Sequence, residues 1–187
     1  MKVISHKKVI NMTSEEARNF FLKSTSYCNL NIPQYFNFED VLKFSAKKLY
    51  KSNINDFYNR DKFKRPNRIE NVNYKFLCNK DGKYAWRPFQ IIHPMLYVDL
   101  VNTITESSNW NEIKNRYKQF KTNKNIICCS DIVESNENKK DKAVIIQKWW
   151  KEYEQKSLKL SLDYSYVAST DITDCYSSIY THSVAWS

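Results

Sequence analysis

The sequence predicts an α+β fold, and three local patterns lead to this prediction. Thr13 and Glu16 have capping-box spacing at the start of an apolar pattern with a helical period. Asp81-Gly82 is a strong tight-turn signal between two aromatic, β-prone runs. Further along the chain, apolar residues follow a long helical pattern that begins near Asp141. Helices and a β-hairpin therefore belong to one α+β unit, which has no internal repeats and no clear linker.

The N-terminal part of the chain is predicted to be helical. Ala17 and Phe20 lie at helical intervals and place a first helix at about Ser14 to Lys23. Asn37 can cap a second helix, because its side chain can accept hydrogen bonds from the first turn. The apolar stripe of this second helix consists of Val41, Leu42, Ala46 and Leu49.

The central part is predicted to contain a hairpin followed by two packing helices. Its strands cover 73–78 and 84–92, on either side of the tight turn. Pro94 suits the first turn of a helix that continues to Ile104, and Asn109 can cap another that continues to Phe120. The apolar positions of these helices are Met95, Val98, Val101, Ile104, Trp110, Ile113, Tyr117 and Phe120.

The last third of the chain alternates between ordered and polar segments. Ile126–Cys129 is predicted to be a short strand, and the polar composition of Ser130 to Lys140 predicts a mobile loop. A long helix follows from Asp141 to Leu160. An extended run that begins near Tyr166 then leads to an acidic motif.

The charge of the chain is strongly positive. Thirty Lys and Arg residues against twenty Asp and Glu residues give a formal net charge of +10. This balance favours a polyanionic partner such as nucleic acid, although solubility alone also accounts for a moderately basic surface. The single glycine, Gly82, excludes the phosphate-binding loops that need several glycines. A bound nucleotide must therefore be held in another way.

Other compositional features concern metals and location. Five Cys residues occur without a Cys-x-x-Cys pair, and three His residues lie far apart, so neither a zinc site nor a disulfide framework is indicated. The N-terminus lacks the apolar core of a signal peptide, and no apolar run approaches the ~20 residues that span a bilayer. We therefore expect a cytoplasmic protein without a membrane partner.

A basic segment between Phe57 and Pro66 interleaves aromatic residues with cations. Surfaces that bind single-stranded nucleic acid often have this composition. A solvated loop with a few anchoring aromatic residues has the same composition, and on composition alone the loop is favoured. The candidate nucleic-acid-binding residues in this segment are Arg60, Lys62, Lys64 and Arg65.

The acidic motif at the end of the extended run is Asp171-Ile-Thr-Asp-Cys-Tyr176. Phosphoryl transfer by two metals needs carboxylates that hold two ions roughly 4 Å apart. Asp171 on a rigid strand could supply one ligand, and the backbone carbonyl of Ile172 could supply a second, because magnesium prefers oxygen donors. Asp174 could instead cap a following helix, and the whole motif also fits an ordinary strand-to-helix turn.

The string from Thr170 to Ser183 is similar to the first palm motif of bacterial reverse transcriptases, especially the group associated with phage defence and abortive infection. The resemblance implies that Asp171 is the catalytic, metal-binding aspartate and that Ile172 provides the neighbouring carbonyl donor. It further implies that Tyr176 is the aromatic steric gate that disfavours a ribose 2′-hydroxyl.

A second string, from Asn79 to Arg87, resembles the fingers hairpin of the same enzymes, in which a lysine and an arginine grip the triphosphate. The resemblance assigns Arg87 to the arginine and either Lys80 or Lys83 to the lysine. These groups can neutralise phosphate charge without a glycine-rich loop. Taken by itself, the string also fits an exposed basic hairpin with Trp86 in the core.

The resemblance implies a particular organisation and activity. Residues 1–54 would be an N-terminal helical extension, 55–160 a fingers-like region, and 161–187 the start of a right-hand polymerase palm with its first strand. The implied activity is RNA-directed DNA synthesis with two Mg²⁺ ions, from deoxynucleoside triphosphates and on nucleic acid as template or product. The implied biological role is antiviral defence.

The sequence also departs from the pattern of a complete enzyme. It contains no Tyr-x-Asp-Asp motif, which supplies the remaining metal ligands in these polymerases. We therefore expect the chain to be the N-terminal portion of a polymerase with an incomplete palm, and to be inactive by itself. Two other functions stay open: a nucleic-acid-binding module without catalysis, and a structural piece that assembles with other copies or with a separate partner.

Overall fold

The computed structural model describes residues 7–30, 32–33, 35–50, 52, 54–58, 69–79, 86–134 and 141–173, with the backbone alone at 58, 87, 141 and 142. Within these ranges, helices and small antiparallel sheets confirm the predicted α+β class. The helices are α1 (Ser14–Phe21), α2 (Ser24–Tyr27), α3 (Glu39–Lys48), α4 (Pro94–Ile104), α5 (Ser107–Phe120) and α6 (Asp141–Ser161). The strands are β1 (Lys7–Lys8), β2 (Tyr74–Asn79), β3 (Trp86–Ile91) and β4 (Val133–Glu134). Short 3-10 turns cover Val9–Asn11 and Ile54–Tyr58.

The capping box predicted at the start of α1 is present. The Thr13 hydroxyl accepts a hydrogen bond from the Glu16 backbone N–H at 3.2 Å, and the Glu16 carboxylate accepts one from the Thr13 backbone N–H at 2.9 Å. Lys7 donates to the same carboxylate at 2.5 Å, and this hydrogen bond lowers the pKa of Glu16. Because backbone donors at the helix start are satisfied in this way, α1 begins at Ser14 as predicted.

The first hydrophobic core is built around Trp110 of α5. Trp110 is 4% exposed and makes an edge-on contact with Phe21, with the ring centroids 6.2 Å apart. Its indole N–H donates to the carbonyl of Met12 at 3.0 Å, so the polar atom of the buried ring is paired. The buried members of this cluster are Val9, Met12, Ala17, Phe20 and Trp110. Helix α1 of the predicted N-terminal extension therefore packs against α5 of the predicted fingers-like region.

A second core lies between α3 and α4. Leu42 and Leu49 pack with Val98 of α4, and each of these side chains is at most 4% exposed. Tyr97 of α4 donates its hydroxyl hydrogen to the carbonyl of Phe21 at 2.7 Å. Burial, with a smaller contribution from a neighbouring tyrosine, raises the pKa of Tyr97 to about 12. The second core is therefore attached to the end of α1.

The segment after Cys129 differs from its prediction. Lys8 of β1 lies opposite Val133 of β4 in an antiparallel pair, and Val133 is fully buried. The mobile loop predicted for 130–140 is therefore wrong for residues 131–134, and residues 135–140 lie outside the described residues. The strand predicted at Ile126–Cys129 is also wrong, since the strand lies at Val133–Glu134 instead. Its pairing partner β1 lies near the N-terminus, far away in the sequence, where a local composition argument could not find it.

Asp131 is the charged centre of this contact. Its carboxylate accepts hydrogen bonds from Lys8 at 2.6 Å, from Lys121 at 3.1 Å and from the Tyr117 hydroxyl at 3.3 Å. Burial by itself would raise the pKa of Asp131, but the hydrogen bonds and charges of the two lysines outweigh it and lower the pKa to about 2. The cluster connects the end of α5 and the segment before β4 to β1.

We expect Asp131→Asn to lower the free energy of unfolding by about 2 kcal/mol at neutral pH, because charged hydrogen bonds to a nearly buried carboxylate are lost. The pKa of Asp131 is lower in the folded chain than in the unfolded chain. Its contribution is therefore complete above about pH 4 and is lost as the pH falls towards 2. Thermal unfolding followed by circular dichroism should separate wild type from variant at neutral pH and bring them together near pH 2.

The matched control for this prediction is Asp163→Asn, which changes an exposed aspartate. It should alter the unfolding temperature little at either pH. An Asp131→Asn effect of the same size at both pH values would contradict the assigned ion pairs.

Helix α6 agrees with the predicted long helix to within one residue at its C-terminal end. Lys156 and Glu152 form an ion pair of 3.6 Å one turn apart on its surface. None of the helices in the described ranges has the length and hydrophobicity that crossing a membrane requires.

The contacts of the chain separate two units, Met1–Trp149 and Trp150–Ser187, with α6 passing through the boundary. Beyond α6, the described part of the second unit, 162–173, consists of turns and irregular backbone and contains no strand. Its apolar side chains are largely exposed, with Leu162 at 85% and Tyr166 at 94%.

Candidate functional site

The predicted hairpin forms and places Arg87 near the end where its strands are connected. β2 and β3 pair antiparallel, with Asn79 opposite Trp86 in the last pair and Cys78 opposite Arg87 in the pair before it. The strand bounds agree with the predicted ones to within two residues. The turn signal of Asp81-Gly82 and the β-prone runs on either side of it were therefore sufficient to predict the paired strands, and the turn itself lies outside the described residues.

Aromatic side chains stabilise the register of the hairpin. Phe76 lies opposite Phe89, and their ring centroids are 6.0 Å apart. Trp86 is 64% exposed, so the alternative in which Trp86 belongs to the core does not occur. Lys80 and Lys83 lie outside the described residues, as does the side chain of Arg87. Their contact with a triphosphate stays a prediction.

The base of the hairpin is hydrogen-bonded to α2 and leads directly into α4. The side-chain oxygen of Asn73 accepts a hydrogen bond from the His93 backbone N–H at 3.0 Å. His93 in turn caps α4, because its Nδ1 accepts from the Met95 backbone N–H at 3.3 Å. The Tyr27 hydroxyl donates to the carbonyl of Ile92. The strands are therefore held at one end, and the phosphate-gripping residues are predicted at the other.

An open apolar groove of about 560 Å³ lies beside the base of the hairpin. Tyr74, Phe76 and Ile91 line it from the hairpin, and Phe38 and Val41 line it from the start of α3. The described lining contains no Lys, Arg, Asp or Glu side chain. These residues are therefore suited to apolar groups rather than to the phosphates of a nucleotide.

Asp171, the predicted metal ligand, lies outside any strand or helix. Residues 162–173 contain no strand, so the strand predicted to lead to Asp171 is absent from this part of the chain, and residues 174–187 of the predicted palm lie outside the described residues. A strand is stabilised by ladder hydrogen bonds to a neighbour, and the described sheets pair other residues. The side chain of Asp171 is exposed, and its Oδ1 accepts a hydrogen bond from the Ile172 backbone N–H at 2.8 Å.

The described residues fit only part of a magnesium site. Among them, no group of three or more His, Cys, Asp or Glu residues comes together in a way that could hold a metal ion. The exposed carboxylate of Asp171 has the oxygen donors that magnesium prefers, so it fits as one ligand. Asp174 and Tyr176 lie outside the described residues, and so does any contact between them and Asp171. A complete two-metal site would need carboxylates in addition to Asp171.

The basic segment also falls outside the described residues. Arg60, Lys62, Lys64 and Arg65 all belong to the range 59–68. Phe57, two residues before this range, is 48% exposed in the short 3-10 turn Ile54–Tyr58. The choice between a nucleic-acid surface and a solvated loop therefore stays open for this segment.

Helix α5 has an exposed face that the sequence pattern did not predict. Trp110 is buried as expected of a packing helix, but Ile113 is 40% and Phe120 is 70% exposed. The guanidinium of Arg116 lies over the Phe120 ring, 5.4 Å from its centroid. The i, i+4 spacing of Arg116 and Phe120 indicates such a contact, but the apolar periodicity of α5 had assigned Phe120 to the core.

Comparison with known proteins does not assign a family. No protein-family model matches the chain, and no curated protein matches it. The resemblance to reverse transcriptases therefore rests on the motifs in 79–87 and 170–183 of the sequence itself.

Proposed function

We propose that this chain is the N-terminal part of an RNA-directed DNA polymerase that acts in antiviral defence. The observation that carries the proposal is the hairpin, whose register puts Arg87 one residue pair from the connected end. The motif around Asp171 supports it from the other end of the sequence. Gly82 is the single glycine of the chain, and cations on a hairpin can hold a triphosphate without a glycine-rich loop.

In this proposal each motif has one task in nucleotidyl transfer. Arg87, with Lys80 or Lys83, orients the triphosphate and neutralises its charge as pyrophosphate leaves. Tyr176 closes over the sugar and excludes a 2′-hydroxyl. Asp171 holds a magnesium ion, which when bound supplies positive charge to the attacking hydroxyl and the leaving group. The other metal ligands come from palm residues beyond those described.

We further propose a cytoplasmic location. Among the described residues, the cysteines Cys28, Cys78, Cys128 and Cys129 are free thiols. Free thiols are typical of proteins in a reducing compartment, because disulfides persist mainly in oxidising ones.

The test of the proposed function is DNA synthesis by the intact protein encoded by the gene that carries this sequence. We expect it to convert deoxynucleoside triphosphates into a DNase-sensitive polymer. Arg87→Gln should lower kcat/KM for the triphosphate by about 10- to 100-fold, because a charged hydrogen-bonding group on phosphate is lost.

The matched control is Lys75→Gln, which removes an exposed cation from β2, the strand paired with that of Arg87. It should leave kcat/KM nearly unchanged. Equal losses in the two variants would indicate a general charge effect and reject the role of Arg87. A protein that makes no polymer under any metal or primer condition would reject the function.

A further inference from the structure

We propose that the exposed face of α5 binds single-stranded nucleic acid, with a base stacked beside Phe120 and phosphates held by Arg116 and nearby lysines. The inference rests on the proposed function, because the α5 face would give such a polymerase a second binding surface for its template or product. It concerns a surface well separated in sequence from both polymerase-like motifs.

The arrangement of Arg116 and Phe120 is the first observation behind this proposal. Phe120 is 70% exposed, so its ring is accessible to a ligand. The Arg116 guanidinium lies over that ring and donates to the side chain of Gln119 at 3.2 Å, which holds it in place. A guanidinium can both stack on flat rings and bind phosphate. Aromatic rings next to cations are the combination that single-stranded nucleic-acid surfaces use.

The shape of this face is the second observation. A shallow groove of about 410 Å³ follows α5. Its described lining residues recur every three or four positions and therefore share one side of the helix. They are Asn109, Glu112, Ile113, Arg116, Tyr117 and Phe120. The groove thus combines rings for stacking with amide and guanidinium donors for phosphate or base edges.

The charge of the helix is the third observation, and it selects the occupant. Helix α5 and the four residues that follow it, 107–124, contain five cations and one carboxylate, which gives a formal charge of +4. The cations are Lys114, Arg116, Lys118, Lys121 and Lys124. Lys121 also contributes to the Asp131 cluster, so the others carry most of the available charge. A polyanion with flat bases complements both the charge and the rings of this face.

Helix α3 provides an internal comparison. Lys48 lies over the ring of Phe44 at 5.5 Å, and Phe44 is 58% exposed, so α3 has a similar cation–aromatic pair. Over the matching span, α3 with the four residues that follow it (39–52), the formal charge is only +2. We therefore expect α3 to bind a polyanion more weakly than α5.

The experiment is fluorescence anisotropy of a labelled oligodeoxythymidine titrated with the full chain and its variants. Phe120→Ala should raise Kd at least about 5-fold, as expected for the loss of one stacked base. Arg116→Gln should reduce the slope of log K against log salt by about one. Phe44→Ala and Lys48→Gln remove the same kinds of groups from α3 and should change Kd less than about 2-fold if α5 provides the main contact. Both aromatic side chains are exposed, so circular dichroism should give unchanged spectra for these variants.

An abasic oligonucleotide of the same length separates stacking from charge. Phe120→Ala should leave its Kd unchanged, because there is no base to lose. Absence of binding by the wild-type chain, or equal weakening by Phe120→Ala and Phe44→Ala, would overturn the proposal. Equal affinity for polyglutamate would identify a general acidic-polymer surface and would also overturn it.

The outcome is distinguishable from failure of the proposed function. DNA synthesis that depends on Asp171, together with oligonucleotide binding that does not depend on Phe120, would reject the α5 surface and retain the polymerase. Binding that depends on Phe120 in a protein that synthesises no DNA would retain the surface and reject the polymerase.

Discussion

Trp110→Ala is expected to lower the free energy of unfolding of the first unit by about 4 kcal/mol. The variant removes the largest side chain of the first core, where Trp110 is 4% exposed. It also deletes the indole N–H that pairs with the buried carbonyl of Met12 at 3.0 Å. Urea unfolding followed by circular dichroism measures the change, and the unfolding temperature should fall by roughly 10 °C.

Two further variants separate packing from hydrogen bonding in this core. Trp110→Phe keeps a ring in the core but removes the indole donor. Loss of the hydrogen bond alone lowers the free energy of unfolding by about 1 kcal/mol. The variant should lower it by more than this, because ring volume is also lost. Trp86→Ala changes a tryptophan that is 64% exposed and should cost much less than Trp110→Ala. If Trp110→Ala and Trp86→Ala destabilised the protein equally, the assignment of Trp110 to the core would be contradicted.

The elements that the sequence predicts best depend on residues close together in the chain. The capping box of α1 requires only the spacing of Thr13 and Glu16, and both of its hydrogen bonds are formed. The paired strands of the hairpin follow from a tight-turn signal in the sequence between two β-prone runs, and their bounds are right to within two residues. In both cases the interactions that stabilise the element connect near neighbours.

The elements that the sequence does not predict depend on distant partners. β4 pairs with β1, and the ion pair of Lys8 with Asp131 joins residues from nearly opposite ends of the first unit. The polar composition of this segment therefore predicted a loop where β4 and its ion pair are formed. On α5, apolar periodicity indicated that Phe120 is buried, but its ring is 70% exposed, and no element in the described part of the chain covers it. Whether an amphipathic face is covered depends on the tertiary arrangement, which a helical period does not contain.

The same distinction applies to the candidate site. The hairpin is a local element, so the position of Arg87 on it could be predicted and is confirmed for the backbone. A strand before Asp171 would need a neighbouring strand to pair with. In the described residues, the two sheets pair β1 with β4 and β2 with β3, and neither includes the segment before Asp171. Asp171 itself is exposed, as an accessible ligand must be, but its assignment to a metal came from resemblance rather than from geometry.

DNA synthesis by the intact protein with Asp171→Asn is the most direct test of the polymerase proposal. Asparagine keeps the size of the side chain but removes the negative charge and one oxygen donor for magnesium. We expect the rate of synthesis to fall at least roughly 1,000-fold, equivalent to about 4 kcal/mol of activation free energy. Because Asp171 is exposed, we expect its replacement to leave the thermal stability unchanged, so a loss of activity would not reflect unfolding.

Asp163→Asn, a change of another exposed aspartate in the same segment, is the control and should retain wild-type synthesis. The account predicts that only Asp171→Asn abolishes the DNase-sensitive product. Wild-type synthesis by Asp171→Asn, or an equal loss in both variants, would contradict the assignment of Asp171 as a metal ligand.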